Sequence, residues 1–419
     1  MTKMNLKQPN ATLAALCLTE LLSWATLYYI FSIFVAPMQA ELGWTQPELM
    51  GALSFGLFCM GLSALPVGMC IDRFGGRGVM SLGSLLAVLG LVAWSQVQTL
   101  PYFYLLWGVI GIAFSMVLYE PAFAVVTRAF GTDYRRAITY LTLTGGFAST
   151  LCFPLCYWLI AQAGWRDALL WLALINAAVC LPLHWFVLRT TPDAGWAHTR
   201  TGAGETGIAA PRPSVTPAAR PTALKAALKS GVFWALAIAF TLYTMVVTAL
   251  WMHMMPMLAD KGFTPGEAVV VIAWIGPMQV AGRFVQYLFG SHLSAARLGK
   301  AVFFGLPLAV VTLAFAPKAF AAMFLFAFLF GAGNGVVTIV RGSVVPEFLG
   351  HKGVGAVNGA MAMPAAFARA AAPFLASLLL SMLGNYGNVL ALLTAVALLA
   401  LASFWAATVL ALRRSSGAA

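Results

Sequence analysis

Apolar residues in this chain do not alternate with polar ones; they gather into long unbroken runs. In order, the runs cover residues 12–38, 46–71, 77–96, 101–128, 137–162, 166–189, 230–258, 266–290, 298–316, 319–345, 353–383 and 388–412. Most match or exceed the ~20 residues that an α-helix needs to cross the hydrocarbon of a bilayer. The last, NVLALLTAVALLALASFWAATVLAL, is apolar on every side. Membrane barrels use segments of about ten residues that alternate strictly, which these runs do not. The pattern predicts an all-α membrane protein with twelve transmembrane helices.

Composition narrows the function classes. Of 419 residues, 61% are hydrophobic and 9% charged, with a mean hydropathy of +0.89. A soluble domain is about 25% charged, so an ordinary soluble enzyme, a disordered regulator and a secreted disulfide scaffold are excluded. All six cysteines fall inside apolar runs, including Cys152 and Cys156 one turn apart, and read as small hydrophobes and not as a disulfide framework or metal site. The polar start MTKMNLKQPN leads into a run too long for a cleavable signal. Without GxxxxGK[ST], HExxH or a TVGYG-like filter, nothing points to ATP hydrolysis, an intramembrane metalloprotease or a potassium pore. The expectation is a non-enzyme with no cofactor and no metal.

The net charge of +12, from 24 Lys and Arg against 12 Asp and Glu, changes the picture only through its placement. A nucleic-acid binder gathers its bases on one face; here they sit in the gaps between runs. With the N-terminus inside, the inner gaps hold Lys3, Lys7, Arg73, Arg77, Arg128, Arg135, Arg136, Arg297, Lys300, Lys352, Arg413 and Arg414, besides those of the central loop. The outer gaps hold Arg166, Lys261 and Lys318. The positive-inside rule then places both termini in the cytoplasm, with the chain in the cell (inner) membrane. The central loop, residues 190–229, carries Pro192, Pro211, Pro213, Pro217 and Pro221 and reads as a linker between two six-helix bundles, 1–189 and 230–419. A faint internal echo, AVVTRAF around Arg128 and VTIVRGS around Arg341, suits a repeat.

Between runs 2 and 3 stands GMCIDRFGGR, that is Gly68, Asp72, Arg73, Gly75 and Arg77 in a GxxxDRxGxR pattern. That motif, at that loop of a twelve-run chain, resembles the major facilitator superfamily. The resemblance implies two bundles related by a pseudo-two-fold axis and a cytoplasmic latch in which Asp72 and Arg73 act. Gly68 is expected to let helices approach closely, and Gly75 with Gly76 to permit a tight turn. The 8–9 loop, SHLSAARLGK, lacks the acid of that motif. Within the superfamily, Gly164-Trp165-Arg166 and the embedded Arg283 in QVAGR resemble the monocarboxylate transporter and oxalate–formate antiporter branch. By that resemblance Arg283 contacts a substrate carboxylate and Arg369 is the cationic counterpart in span 11. Monocarboxylate members place an aspartate where this chain has Gln279, a departure that unsettles their proton-relay scheme here.

Ionisable groups inside spans cost about 2.5–3.5 kcal/mol each even on lenient scales, so they usually serve a cavity or a partner. The embedded set is Glu20, Glu120, Arg283 and Arg369. Guanidinium forks match carboxylates, making Arg283 and Arg369 substrate candidates, unless they pair with Glu20 or Glu120 instead. Glu120 precedes Pro121, which kinks the span and leaves a carbonyl free, and is the first candidate for proton coupling, with Glu20 the second. Trp24, Tyr28, Tyr29, Asn334, Gln279 and His253 are further candidates for the substrate wall; packing is the competing reading for each. The sequence thus predicts a monomeric secondary transporter of a small organic anion, proton-coupled and working by alternating access, without nucleic-acid partners. The alternative on the same fold is efflux of a toxic compound such as a drug or metalloid.

Overall fold

A computed structural model describes residues 7–130, 134–188, 225–289, 293–350 and 354–416, and among them every regular element is helical. The chain forms two compact units. One comprises Met1–Glu205 with Met254–Pro256 and Pro265–Ala273; the other comprises Thr206–His253, Met257–Thr264 and Trp274–Ala419. Most of the central loop lies outside the described residues.

The first half begins with α1 (Lys7–Ser23), which widens into a π-helical turn at Trp24–Tyr28 before α2 (Phe31–Leu42). Then come α3 (Gln46–Phe74), α4 (Gly76–Ser95) and α5 (Leu100–Val117). The fifth helix stops at Leu118, whose ψ of −163° leaves the helical region. The same apolar run resumes as α6 (Tyr119–Phe130), followed by α7 (Tyr134–Gly145), α8 (Ala148–Ile175) and π-helical turns at Asn176–Cys180 and Leu183–Val187. The second half supplies α9 (Gly231–Asp260), α10 (Pro265–Phe289), α11 (Ala295–Phe315), α12 (Phe320–Leu349), α13 (Val354–Leu383) and α14 (Tyr386–Ser416).

Among the described residues, eleven helical stretches are long and apolar enough to cross a membrane. One of them, Arg136–Val187, has 52 residues. At ~1.5 Å per residue it is more than twice as long as the ~30 Å hydrocarbon layer is thick. Gly164 divides it, with φ +78° and ψ 168° inside an otherwise helical segment. A side chain there would be strained, so glycine makes the turn. The stretch is two spans and the total is twelve, with the division falling in the gap between the fifth and sixth apolar runs.

Inside the first unit, a ladder of aromatic rings forms the core. Phe31 meets Trp107 at 4.8 Å, Trp107 meets Trp94 at 5.1 Å, and Trp94 meets Phe34 at 5.5 Å. The crossing of α3 on α5 is backbone-close: a Cβ at Gly56 would stand 2.7 Å from the Trp107 carbonyl, and one at Gly111 would strike Gly56 itself. In the second unit Phe303 stacks on Phe404 at 4.5 Å, above Gly299, where a Cβ would collide with the Phe404 ring.

Candidate functional site

Three interruptions of the first unit meet around one group of aromatic side chains. The π-turn of span 1 presents Trp24, Tyr28 and Tyr29, with ring centroids 4.8 Å apart for Trp24–Tyr28 and 5.4 Å for Tyr28–Tyr29. Tyr119, at the restart of span 4, lies 4.9 Å from Trp24 and stacks on Phe123 at 5.3 Å. Gly145, at the end of α7, leaves room for the Tyr119 hydroxyl, which a Cβ would strike. Irregular helix of this kind recurs at functional positions because it frees backbone groups and re-aims side chains.

Both embedded acids border this cluster. Glu20 is fully buried; its Oε2 accepts from Trp24 Nε1 at 3.0 Å, and its Oε1 has no hydrogen-bond partner among the described residues. Glu120 is exposed in the first turn of α6, without a hydrogen-bond or ion-pair partner among the described residues, and within electrostatic range of Glu20. The expected kink at Pro121 is an outright break at Leu118. Three polar residues of the first unit are not among the residues the sequence singles out. Tyr119 stands beside Glu120. Asn176 ties its π-turn down through Nδ2, donating to Thr26 Oγ1 at 2.7 Å and to the Leu172 carbonyl at 2.9 Å. His184 is buried with Nδ1 2.7 Å from Ser84 Oγ. The signal for the last two is an isolated polar residue, Asn176 or His184, inside the apolar run 166–189.

In the second unit, glycines decide how the arginine is held. A Cβ at Gly331 would lie 2.7 Å from both the Ile275 carbonyl and Met278, one at Gly282 would lie 2.7 Å from Ala332, and one at Gly335 would strike the Gln279 backbone. Thus α10 and α12 touch backbone to backbone, the small-xxx-small contact of membrane helices. This proximity lets Arg283 Nε donate to the Gly335 carbonyl at 2.9 Å. Gln279, one turn before Arg283, is buried at the crossing. Asn334 lies beside it with a buried Nδ2 that has no partner among the described residues.

Arg369 sits midway along α13, half-buried, and makes no hydrogen bond or ion pair among the described residues. Four residues on, Pro373 has no N–H to offer the Arg369 carbonyl. The Pro373 carbonyl in turn lies 2.9 Å from His253 Nε2, while His253 Nδ1 lies 2.9 Å from the Tyr386 hydroxyl. A neutral imidazole satisfies both contacts with the proton on Nε2 and the hydroxyl donating to Nδ1. His253 is fully buried and belongs to this lock between α9, α13 and α14.

The loop motif divides in the same way. Gly75, with φ +81°, caps α3, its N–H donating to the Ile71 carbonyl at 2.9 Å, and Gly76 packs against Val125 with no space for a Cβ. Arg77 Nε donates to the Trp185 carbonyl at 2.9 Å, with its guanidinium 4.0 Å from the Trp185 ring. Arg73 is exposed and the side chain of Asp72 lies outside the described residues. Gly68 corrects an expectation: a Cβ there meets nothing within 4 Å, and the close approach on α3 belongs to Gly56. The acid missing from the 8–9 loop is supplied from elsewhere, since Glu347 of α12 accepts from the backbone N–H groups of Ala295 (2.7 Å) and Ala296 (3.2 Å) at the start of α11. The Gly164-Trp165-Arg166 turn closes on Glu41, which accepts from Trp165 Nε1 at 2.5 Å and Arg166 Nε at 2.8 Å. Arg166 also reaches the carbonyls of Ser95 and Val97.

Comparison with known proteins agrees with this architecture. The sequence profile of the Major Facilitator Superfamily matches residues 16–317. Monocarboxylate transporter 13 of Rattus norvegicus is 26% identical over 290 residues, 68% of this chain and 62% of that protein, so the match spans less than two thirds of the relative's length. Monocarboxylate transporter 12 of Rattus norvegicus is 24% identical over 355 residues, 78% of this chain and 71% of that protein. The crystal structure of the nucleoside transporter NupG superposes with a TM-score of 0.69 at 14% identity, covering 97% of this chain and 99% of that one. At that identity the likeness speaks for the fold. These relatives are transporters and not enzymes. With twelve apolar spans, the GxxxDRxGxR loop and a profile match over most of its length, the chain is a multi-pass membrane protein belonging to the Major Facilitator Superfamily.

Proposed function

We propose that this chain is a secondary active transporter of a small organic anion of the monocarboxylate class, driven by protons through alternating access. Arg369 carries the reading. A guanidinium inside a spanning helix, with no carboxylate or carbonyl to compensate it among the described residues, is a charge awaiting an anion. Arg283, held by the Gly335 carbonyl, is the second contact, with Gln279 and Asn334 beside it. The relatives of known class, monocarboxylate transporters 13 and 12, favour the same cargo. In this reading Glu120 carries the coupling proton, with Glu20 as the buried neighbour whose unpaired oxygen needs compensation, and Trp24, Tyr28 and Tyr29 wall the path. The chain works as a monomer in the cell membrane with both termini cytoplasmic. Asp72, Arg73 and Arg77, with the turn at Gly75, form the cytoplasmic latch.

Uptake of radiolabelled small monocarboxylates into proteoliposomes tests the cargo. Losing a hydrogen bond to a charged group costs about 1.5–3 kcal/mol, so Arg369→Ala should lower kcat/KM roughly ten- to hundredfold with an unchanged melting point. Undiminished carboxylate uptake by that variant would end the reading and return attention to efflux of a toxic compound. Glu120→Gln should lose uptake driven by a pH gradient while keeping anion exchange; equal loss of both would remove Glu120 as the proton carrier.

A further inference from the structure

Between α10, α11 and α12 runs a groove with a cavity volume of about 290 Å³ that no step of transport uses. Val285, Leu298, Val302, Phe328 and Val336 line it, with Gln286 the polar exception. Its rims face outward: Val285 is 54% and Phe328 49% exposed, on helices that span the bilayer. Carboxylate cargo has nothing to bind there, whereas an acyl chain finds the apolar surface it requires.

One end of the groove is basic. Along α11 the lining positions Leu298, Ala301, Val302 and Gly305 follow helical spacing, and Arg297 lies one turn before Ala301 on the same stripe. Arg297 is exposed, and its guanidinium has no hydrogen-bond or ion-pair partner among the described residues. The other charges at this end are engaged: Lys300 stands 4.8 Å from the Trp405 ring, and the Glu347 carboxylate takes the N–H groups of Ala295 and Ala296. We infer that the groove holds an acyl chain of an anionic phospholipid, its headgroup phosphate on Arg297.

Gly305 allows a clean test, because a Cβ there meets nothing within 4 Å, so a larger side chain enters the groove without disturbing the helices. The experiment is native mass spectrometry of the full chain, loaded separately with dioleoyl-phosphatidylglycerol and dioleoyl-phosphatidylcholine. Wild type should retain one equivalent of the glycerol lipid roughly fivefold more than the choline lipid. Arg297→Gln should bring that ratio to about one. Gly305→Leu should lose retention of both lipids at an unchanged melting point; Ala301→Phe fills the same groove and serves if the first variant melts early. Equal retention of the two lipids by wild type, or full retention by both filled variants, would overturn the proposal. So would a dimer of the wild-type chain that Gly305→Leu converts to monomer, which would make the groove an interface between copies.

Discussion

Spans in the first half of the chain are repeatedly interrupted, whereas α9 to α14 run for 21 to 31 residues each. In the first half, backbone breaks at Trp24–Tyr28, at Leu118, after Gly145 and at Asn176–Cys180 bring short polar and aromatic side chains together. In the second half, the internal prolines Pro256, Pro277, Pro307, Pro346, Pro364 and Pro373 leave the helices continuous. There Arg283 is held by the Gly335 carbonyl of the next helix, while Arg369 projects from an unbroken helix with no such partner among the described residues. A short group such as Glu120 or Tyr119 needs the backbone to bring it into position. An arginine reaches far enough from an unbroken helix, provided glycines let the next helix come close.

The comparison predicts that the two halves fail at different glycines. Gly335→Leu forces a side chain into the Gln279 backbone, and Gly145→Leu forces one into Tyr119. Overpacking costs about 1–3 kcal/mol, more where the obstacle is backbone. Gly335→Leu should therefore show the larger fall in melting point in a thermal scan, and should weaken anion uptake by displacing the carbonyl that holds Arg283. Gly145→Leu meets the far end of a ring and should fall less, with its effect on proton-driven uptake. A Cβ at Gly68 meets nothing within 4 Å and replaces a helical glycine, so Gly68→Ala should be as stable as wild type or more stable by up to ~1 kcal/mol. If Gly335→Leu melted like wild type, the close crossing of α10 on α12 would be wrong.

These contrasts also mark how far the sequence could be read. Run length and loop charge revealed the spans because a bilayer constrains every spanning residue alike, and even the Gly164 division was visible as a gap. The cost of charge in oil singled out Glu20, Glu120, Arg283 and Arg369 for the same reason. What holds those residues was not visible. Gly335 supplies a carbonyl to an arginine 52 positions away, and Asn176 reaches Thr26 across 150. No local pattern encodes such distances. The π-turns likewise have no signature in composition, so the widening of span 1 at Trp24–Tyr28 could not be read from the sequence.

The Gly164-Trp165-Arg166 turn gives a smaller test within the first unit. Its clasp joins Glu41 to Trp165 and Arg166, whose guanidinium also lies 4.3 Å from the Trp165 ring. The Glu41 and Arg166 side chains are 49% and 28% exposed, so water screens the ion pair. Glu41→Ala should cost about 1 kcal/mol, mostly from the lost hydrogen bonds. A melting point equal to wild type would reduce the motif to a glycine turn with two bystanders.

The smallest effect belongs to Lys261, just past the end of α9, whose Nζ donates to the carbonyls of Ala314 (3.2 Å) and Ala316 (2.8 Å) at the end of α11. Partial burial pushes its pKa below the ordinary 10.5, against the pull of Asp260. Between the lowered and the ordinary value, the unfolded chain holds a proton that the folded chain has released, so this residue makes stability rise with pH. The gain is complete above 10.5 and is lost as pH falls through the lowered value. Lys261→Met removes this contribution but also both hydrogen bonds, so the diagnostic quantity is the slope and not the absolute melting point. Melting points of wild type and variant between about pH 8 and 10.5 should converge at the acidic end of that range and separate at the alkaline end. Parallel curves would mean that the two carbonyls fully offset the burial of the ammonium, and that α11 is capped on this side by a lysine no different from one in water.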